Sequence, residues 1–380
     1  MVKALEFSRK PAKYAAAMVA GALKPGGGAA VGPLRLRDLD EFELPTDDWV
    51  RFRPRLAGIC GSDLSTIDGH SSRYFEPIVS FPFVPGHEVV GDLDDGSRAV
   101  LVPVLHCAIR GIDPVCTACE AGQINRCERI AFGHLEPGLQ SGFCCDTGGG
   151  WSEEMVAHPD QLIPVPDDLS DEAAVMVEPT ACAVHAAAQV TGDGPVAIIG
   201  AGTLGLLTLA ALDRDDVTVA ARYSHQQRLA KEFGASRVVD PDELAGAIRL
   251  STGSMKLGRD HASGQLTGGA PTVIDCVGSE ASLTQALQVV APGGTVLVVG
   301  MPATVNLDLT GLWHREVALR GVYAYDRSDF DAAIRLAQTN DLGRLVTQTY
   351  PLRRYTDAIT HAAAAGRRGA VKIAFDMRNS

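Results

Sequence analysis

The chain has 380 residues, of which 46% are hydrophobic and 21% charged, with 40 glycines and a formal net charge of −12. A single core rarely grows to this length, so two domains of an α/β protein are expected. The acidic balance, with no basic stripe to neutralise phosphates, excludes a nucleic-acid partner. No apolar run is long enough for a membrane helix, and MVKALEFSRKPAKY lacks the order of a signal peptide, which gives the cytoplasm as the expected location. Nine cysteines, unevenly spread, do not make a disulfide scaffold.

From residue 1 to about 165, Pro and Gly interrupt short β-branched runs such as those at 83–90 and 99–104. That density argues against long helices and predicts short strands joined by working loops. Cys116, Cys119 and Cys127 crowd together in this half, and in a reducing compartment such a cluster reads first as metal binding. The pair Cys144-Cys145 sits in a Gly-rich stretch before Trp151, readable as surface thiols, a substrate-loop feature or a redox-sensitive pair. Pro164-Val165-Pro166 marks a boundary, followed by Ser170 as an N-cap with acids in the first turn.

Beyond residue 195 the pattern becomes strand, helix, strand, helix. The run at 196–199 is continuously apolar, as in a strand buried on both faces of a parallel sheet. Helices are expected at 204–212 and 226–233, the latter stopped by Gly234, and strands at 217–220, 273–276 and 295–299. This alternation predicts a doubly wound sheet. Residues 251–270 are polar and Gly-rich, and read as an irregular insertion.

Gly200-Ala201-Gly202-Thr203-Leu204-Gly205 is a G-x-G-x-x-G run that leaves a strand and opens a helix. There, glycines permit the turn, the approach of a pyrophosphate and close helix packing, so this loop, with Thr203 and Leu204, is the candidate dinucleotide site. An NAD site should end its second strand in an acid. This strand ends instead in Ala220-Ala221-Arg222-Tyr223-Ser224. Arg222 can pair with a 2′-phosphate, Ser224 can donate to it and Tyr223 can cover the adenine, so NADP is expected over NAD. The alternative for Arg222 is a solvated charge at a strand end.

Cys60, His87 and Glu178 offer thiolate, imidazole and carboxylate, the donor types of a zinc site that keeps a position open for substrate. Spacing alone does not join them. Gly58-Ile59-Cys60-Gly61-Ser62-Asp63, Gly86-His87-Glu88, the Cys116/Cys119/Cys127 spacing, Glu178-Pro179 and the glycine fingerprint nevertheless occur in the order seen in the zinc-containing medium-chain dehydrogenases. The chain resembles their sorbitol, threonine and glucose dehydrogenase branch over nearly its whole length, including Gly321-Val322-Tyr323-Ala324-Tyr325 and Ala370-Val371-Lys372-Ile373.

That resemblance implies a β-rich GroES-like catalytic domain over residues 1–179, with a zinc lobe at about 107–130. A Rossmann dinucleotide-binding domain would follow over 180–322, and residues 323–380 would return to the catalytic domain. It implies Cys60, His87 and Glu178 as catalytic zinc ligands, with Glu88 either binding the metal or beside it. Ser62 would accept the substrate proton, and Asp63 would orient His87 from behind. A histidine often found five residues after the ligand cysteine is Ser65 here, and His70 is the replacement at hand. A second, structural zinc would be held by Asp113, Cys116, Cys119 and Cys127, with Cys107 as an alternative first ligand. Val299 and Lys372 are implied as further cofactor contacts. The activity implied is hydride transfer between NADP(H) and a secondary alcohol, polyol or sugar, in a homodimer or homotetramer. A redox-neutral lyase or epimerase, or a non-catalytic dinucleotide-binding protein, are the alternatives on the same scaffold.

Overall fold

The computed structural model describes residues 1–257, 265–302 and 304–378. The chain forms two compact units, one of Met1–Glu178 with Tyr325–Ser380 and one of Pro179–Ala324.

The first unit opens with β1 (Val2–Phe7), which pairs antiparallel with β2 (Leu34–Leu39). Between them run α1 (Pro11–Leu23) and α2 (Gly28–Val31). The expectation that Pro and Gly keep long helices out of this half fails at α1, which is 13 residues long. Pro11 opens it, where a missing N–H costs nothing, and an alanine-rich run carries it forward. Gly21 lies on its buried side, where a Cβ would come within 2.7 Å of the Asp68 Cβ.

β3 (Val50–Gly58) then leads into α3 (Gly61–Ile67), and β4 (Val89–Asp92), β5 (Arg98–Leu101), β6 (Met155–Ala157) and β7 (Leu162–Pro164) complete the first pass. The apolar run at 83–90 is mostly extended loop, and only its end joins a sheet. Ser170 caps the helix Asp171–Ala174 as expected, its hydroxyl accepting the Ala173 N–H at 3.1 Å.

The second unit is a six-stranded sheet built from β8 (Val196–Ile199), β9 (Val217–Ala220), β10 (Arg237–Val239), β11 (Ala270–Asp275), β12 (Val290–Val298) and β13 (Ala318–Gly321). Its order is β10-β9-β8-β11-β12-β13 with every pair parallel, the doubly wound arrangement. All four residues of β8 and of β9 are buried, and β8, with no polar residue, reads as an unbroken apolar run. Helices at Thr203–Leu212 and Ser224–Glu232 follow these two strands. Of the supposed insertion at 251–270, residues 258–264 lie outside the described residues. Its flanks are ordered: Leu257 and Thr267 make backbone hydrogen bonds across to Gln265 and Met255, and Leu266 is buried in the core.

The chain returns to the first unit with β14 (Val346–Tyr350) and β15 (Lys372–Asp376), completing the sheet order β14-β15-β3-β4-β5-β7, with β6 on the start of β3. β15 and β4 thus flank the end of β3, setting Ala374 opposite Gly58 and Val89 opposite Ala57. Three distant stretches, near residues 58, 88 and 372, meet there.

Candidate active site and cofactor sites

β3 delivers Cys60 to the N-cap of α3, where the Asp63 carboxylate accepts the Cys60 N–H at 2.9 Å. The far end of α3 is tied down by Asp68, whose buried carboxylate accepts the N–H groups of Gly26 at 2.7 Å and Gly28 at 2.9 Å. The insertion between β1 and β2 therefore anchors the helix that carries Cys60 and Ser62.

His87 and Glu88 arrive from the loop before β4. Gly86 makes that approach possible: its φ is +102°, and a Cβ would fall 2.4 Å from the Trp151 ring. The Cys60 sulfur, one His87 nitrogen and one Glu88 oxygen lie within 4.8 Å of one another. Asp63 stands 3.6 Å from His87 Nδ1, which leaves Nε2 as the nitrogen open to a metal. Phe143 borders the His87 ring, with centroids 6.1 Å apart.

Glu178 is buried and acts electrostatically on His87 without joining the 4.8 Å set. Burial pushes its carboxyl up to about 7, against His87 and the Tyr325 hydroxyl, which draw it down. Burial likewise lifts Asp63 to about 6. His87 is raised despite its burial, because Asp63, Cys60 and Glu178 favour the imidazolium. Carboxylates and a thiol thus outnumber the cations in this buried cluster. Such an excess suits a dication that replaces the protons these groups otherwise hold.

Lys372, a cofactor contact in the resemblance, faces Glu88 in this unit. Its buried ammonium donates to both Glu88 oxygens, at 2.7 and 2.5 Å, because the pairing of β15 with β3 turns it into the Cys60 cluster. Ser62 is half-buried in the first turn of α3, and its hydroxyl has no protein partner among the described residues. His70 is exposed, and only its backbone N–H meets the Ser65 carbonyl. No side-chain relay leads outward from Ser62 through it.

The second cluster corrects the expected ligand set. Cys107, Cys116, Cys119 and Cys127 bring their sulfurs within 4.8 Å of one another, whereas Asp113 is exposed and outside the group. A backbone turn folds Cys107 back, the Ile112 N–H meeting its carbonyl and the Cys116 N–H its sulfur. Glu128 and Arg129 direct further N–H groups at the sulfurs of Cys116 and Cys127. The N–H groups of Glu128 and Cys119 and the thiols of Cys119 and Cys107 bring Cys116 down to about 6 against its burial. Buried Arg110 braces the lobe by donating to the carbonyls of Leu105, Phe132, Leu135, Glu136 and Gly138. All nine cysteines are free. Cys144 is fully buried with its thiol on the Glu136 carbonyl, while Cys145 is half-buried and turns its own to Asp146.

In the second unit Gly200 has φ +93° and Gly205 lets its helix close on β8, since a Cβ there would meet the Gly200 carbonyl at 1.9 Å. A Cβ on Gly202 meets nothing within 4 Å, so the loop is open on the side where a pyrophosphate lies against a helix N-terminus. Thr203 and Leu204 begin that helix. Arg222 is exposed at the end of β9, and Tyr223 stacks on His225 with centroids 6.1 Å apart. Ser224 opens the next helix, and Val299 follows β12, its N–H on the Asp275 carbonyl.

Residues 46–167 match the alcohol dehydrogenase GroES-like domain and residues 200–339 the zinc-binding dehydrogenase family. The chain belongs to the zinc-containing medium-chain dehydrogenases. Among relatives, an L-idonate 5-dehydrogenase of Vitis vinifera is 29% identical, covering 86% of this chain and 88% of its own. A sorbitol dehydrogenase of Bacillus subtilis is 26% identical over 83% and 86%. The fold is shared with L-idonate 5-dehydrogenase of Escherichia coli, at TM-score 0.71 and 22% identity, covering 99% and 98% of the two chains.

The medium-chain dehydrogenases are oxidoreductases that use zinc and a nicotinamide cofactor, and both groups meet suitable residues here. The Cys60 cluster offers the mixed donors of an open zinc site, and the four thiols those of a closed one. Among the described residues, no helix of this dehydrogenase is long and apolar enough to cross a membrane. The Lys372–Glu88 pair and the Asp68 anchor escaped the sequence reading, which held Cys107 as the alternative to Asp113.

Proposed function

We propose that this dehydrogenase transfers a hydride between NADP(H) and a secondary alcohol, polyol or sugar and its carbonyl counterpart. The observation that carries this reading is the cluster of Cys60, His87 and Glu88, with buried Glu178 acting electrostatically on His87 and Asp63 behind the imidazole. Cys60, His87 and Glu178 would hold a catalytic zinc, and Cys107, Cys116, Cys119 and Cys127 a structural one. Bound there, zinc supplies a Lewis acid that makes a substrate hydroxyl acidic near neutral pH. Asp63, 3.6 Å from Nδ1, favours the proton on that nitrogen electrostatically and leaves Nε2 for the metal. Ser62, with a free hydroxyl on the same turn as Cys60, takes the proton that the substrate loses. Phe143 covers one side of His87 and keeps water from that wall.

A polar, hydroxyl-rich substrate is supported by the relatives, an idonate and a sorbitol dehydrogenase. The NADP preference rests on Arg222, whose exposed guanidinium has no protein partner among the described residues and can pair with a 2′-phosphate. β13 is exposed along its length at the edge of the parallel sheet and supports assembly with a second copy by strand pairing.

The test is turnover of a panel of polyols, sugars and 2,3-diols with NADP or NAD, with zinc counted per chain. Stoichiometric NADPH formation and two zincs per chain are expected. Turnover without net change in the cofactor would replace this reading with a redox-neutral reaction. Equal or faster turnover with NAD would remove the NADP preference.

A further inference from the structure

The α1–α2 insertion anchors α3 from its inner side, while its outer side is turned to solvent. α1 buries Ala17 and Gly21 and half-buries Tyr14 and Ala20. The opposite face is made by Ala12, Ala15, Ala16, Val19, Ala22 and Leu23, all exposed, with Val19 at 64% and Leu23 at 83%. A surface helix ordinarily turns polar or charged side chains outward, and this face turns none. Met18 at its margin and Val31 on α2 are exposed as well. The segment that follows α3 extends the same surface. The Ser71 backbone hydrogen-bonds to the Tyr14 hydroxyl and Arg9 holds Glu76 at 2.9 Å, so residues 71–76 run beside the first turn of α1. Tyr74 lies in that segment and is 76% exposed.

Charge around this face has one sign. From Phe7 to Arg37 the chain has six cations, Arg9, Lys10, Lys13, Lys24, Arg35 and Arg37, and no carboxylate, in a protein of net charge −12. Arg9 is paired with Glu76, whereas Lys10, Lys13 and Lys24, near the two ends of α1, are exposed and have no ion pair among the described residues. Apolar face and cationic margin together select the partner. A second copy docked there would bring like charges together. A face about 20 Å long and about 10 Å wide also covers far less than the roughly 800 Å² that each partner buries in a stable dimer. A nucleic acid would neutralise the lysines and leave the apolar face in water. An anionic bilayer offers acyl chains and phosphate headgroups at once, and a 13-residue helix too short to span it can lie in its surface. We propose that the outer face of α1, with Tyr74 at its edge, docks the protein peripherally on anionic lipid bilayers.

The test mixes the full-length protein with vesicles of phosphatidylserine and phosphatidylcholine in equal parts, or of phosphatidylcholine alone, and measures the bound fraction by sedimentation at low salt. Binding to the first and not to the second is expected, weakening as salt screens the lysines. Leu23→Ser should weaken it by on the order of tenfold through lost apolar burial. Lys13→Gln and Lys24→Gln should each weaken it by about fivefold. These side chains face water in the free protein, so turnover and thermal midpoint stay at wild-type values in all three variants. Trp313→Ser, on an exposed short helix of the second unit, leaves binding unchanged. In Leu23→Trp, brominated lipid quenches the added emission. No binding to the anionic vesicles, equal binding to phosphatidylcholine alone, or full binding in Leu23→Ser overturns the proposal. Self-association in sedimentation velocity that Leu23→Ser abolishes would assign the face to a second copy instead.

Discussion

The first unit carries two sulfur-containing clusters built on opposite plans. The four thiols of Cys107, Cys116, Cys119 and Cys127 come from one short stretch of chain and differ only in position. The Cys60 cluster mixes thiol, imidazole, carboxylates and an ammonium taken from β3, the loop before β4, the start of the helix Val177–Ala187 and β15. The local cluster can be completed by a metal that needs nothing else. The dispersed one leaves donors of unequal strength around a position that a substrate can enter. A closed shell stabilises, and an incomplete shell reacts.

The sharpest way to break this contrast is to remove one ligand from each cluster. Cys60→Ser or His87→Ala should lower activity by more than about 100-fold, beyond the cost of losing a supporting residue, while one zinc per chain stays bound. Loss of both zincs in plasma emission analysis would mean that the clusters are not independent. Cys107→Ser should do the reverse, leaving the Cys60 cluster its metal but lowering the thermal midpoint markedly. Asp113→Ala should stay within about 0.5 kcal/mol of wild type in urea unfolding, as for an exposed side chain. A large effect at Asp113 would restore it as a ligand.

A smaller effect is expected at the second unit. Arg222→Ala should weaken NADP by about 10- to 100-fold, the worth of a charge-assisted hydrogen bond, and leave NAD nearly unchanged. Equal losses for both cofactors in KM measurements would make Arg222 a general contact. The smallest effect concerns the frame around the Cys60 cluster. Asp171 accepts from Arg55, Arg98 and Arg378, which outweigh its burial and hold its carboxyl below the usual range. A carboxyl lowered on folding contributes stability above its unfolded value of about 3.9, and loses it as the pH falls through the lower folded value. Asp171→Asn should therefore flatten the acid limb of the stability curve, and an unchanged limb in unfolding from pH 6 to pH 2 would assign acid sensitivity elsewhere.

Sequence alone determined whatever is encoded within a few residues. β8 appears residue for residue, because a strand buried on both faces has no polar position to interrupt it. The glycine loop is legible for a similar reason, since its turn, its open face and its helix contact each demand a missing Cβ. Cys116, Cys119 and Cys127 announce themselves by spacing. Composition misled at α1, where alanine content and a proline at the first position outweigh the glycines that follow.

The tertiary structure decided what depends on pairing between distant strands. Asp113 sits nearer Cys116 in sequence, but a turn brings Cys107 to the sulfurs and leaves the aspartate in water. Lys372 closes on Glu88 only because β15 pairs with β3 in one register, and a slip of one residue would turn it to the opposite face. Asp68 gains its role only when an insertion from before β2 lays its glycine N–H groups across the end of α3. Local sequence names the donors, and long-range pairing decides which charge each of them meets.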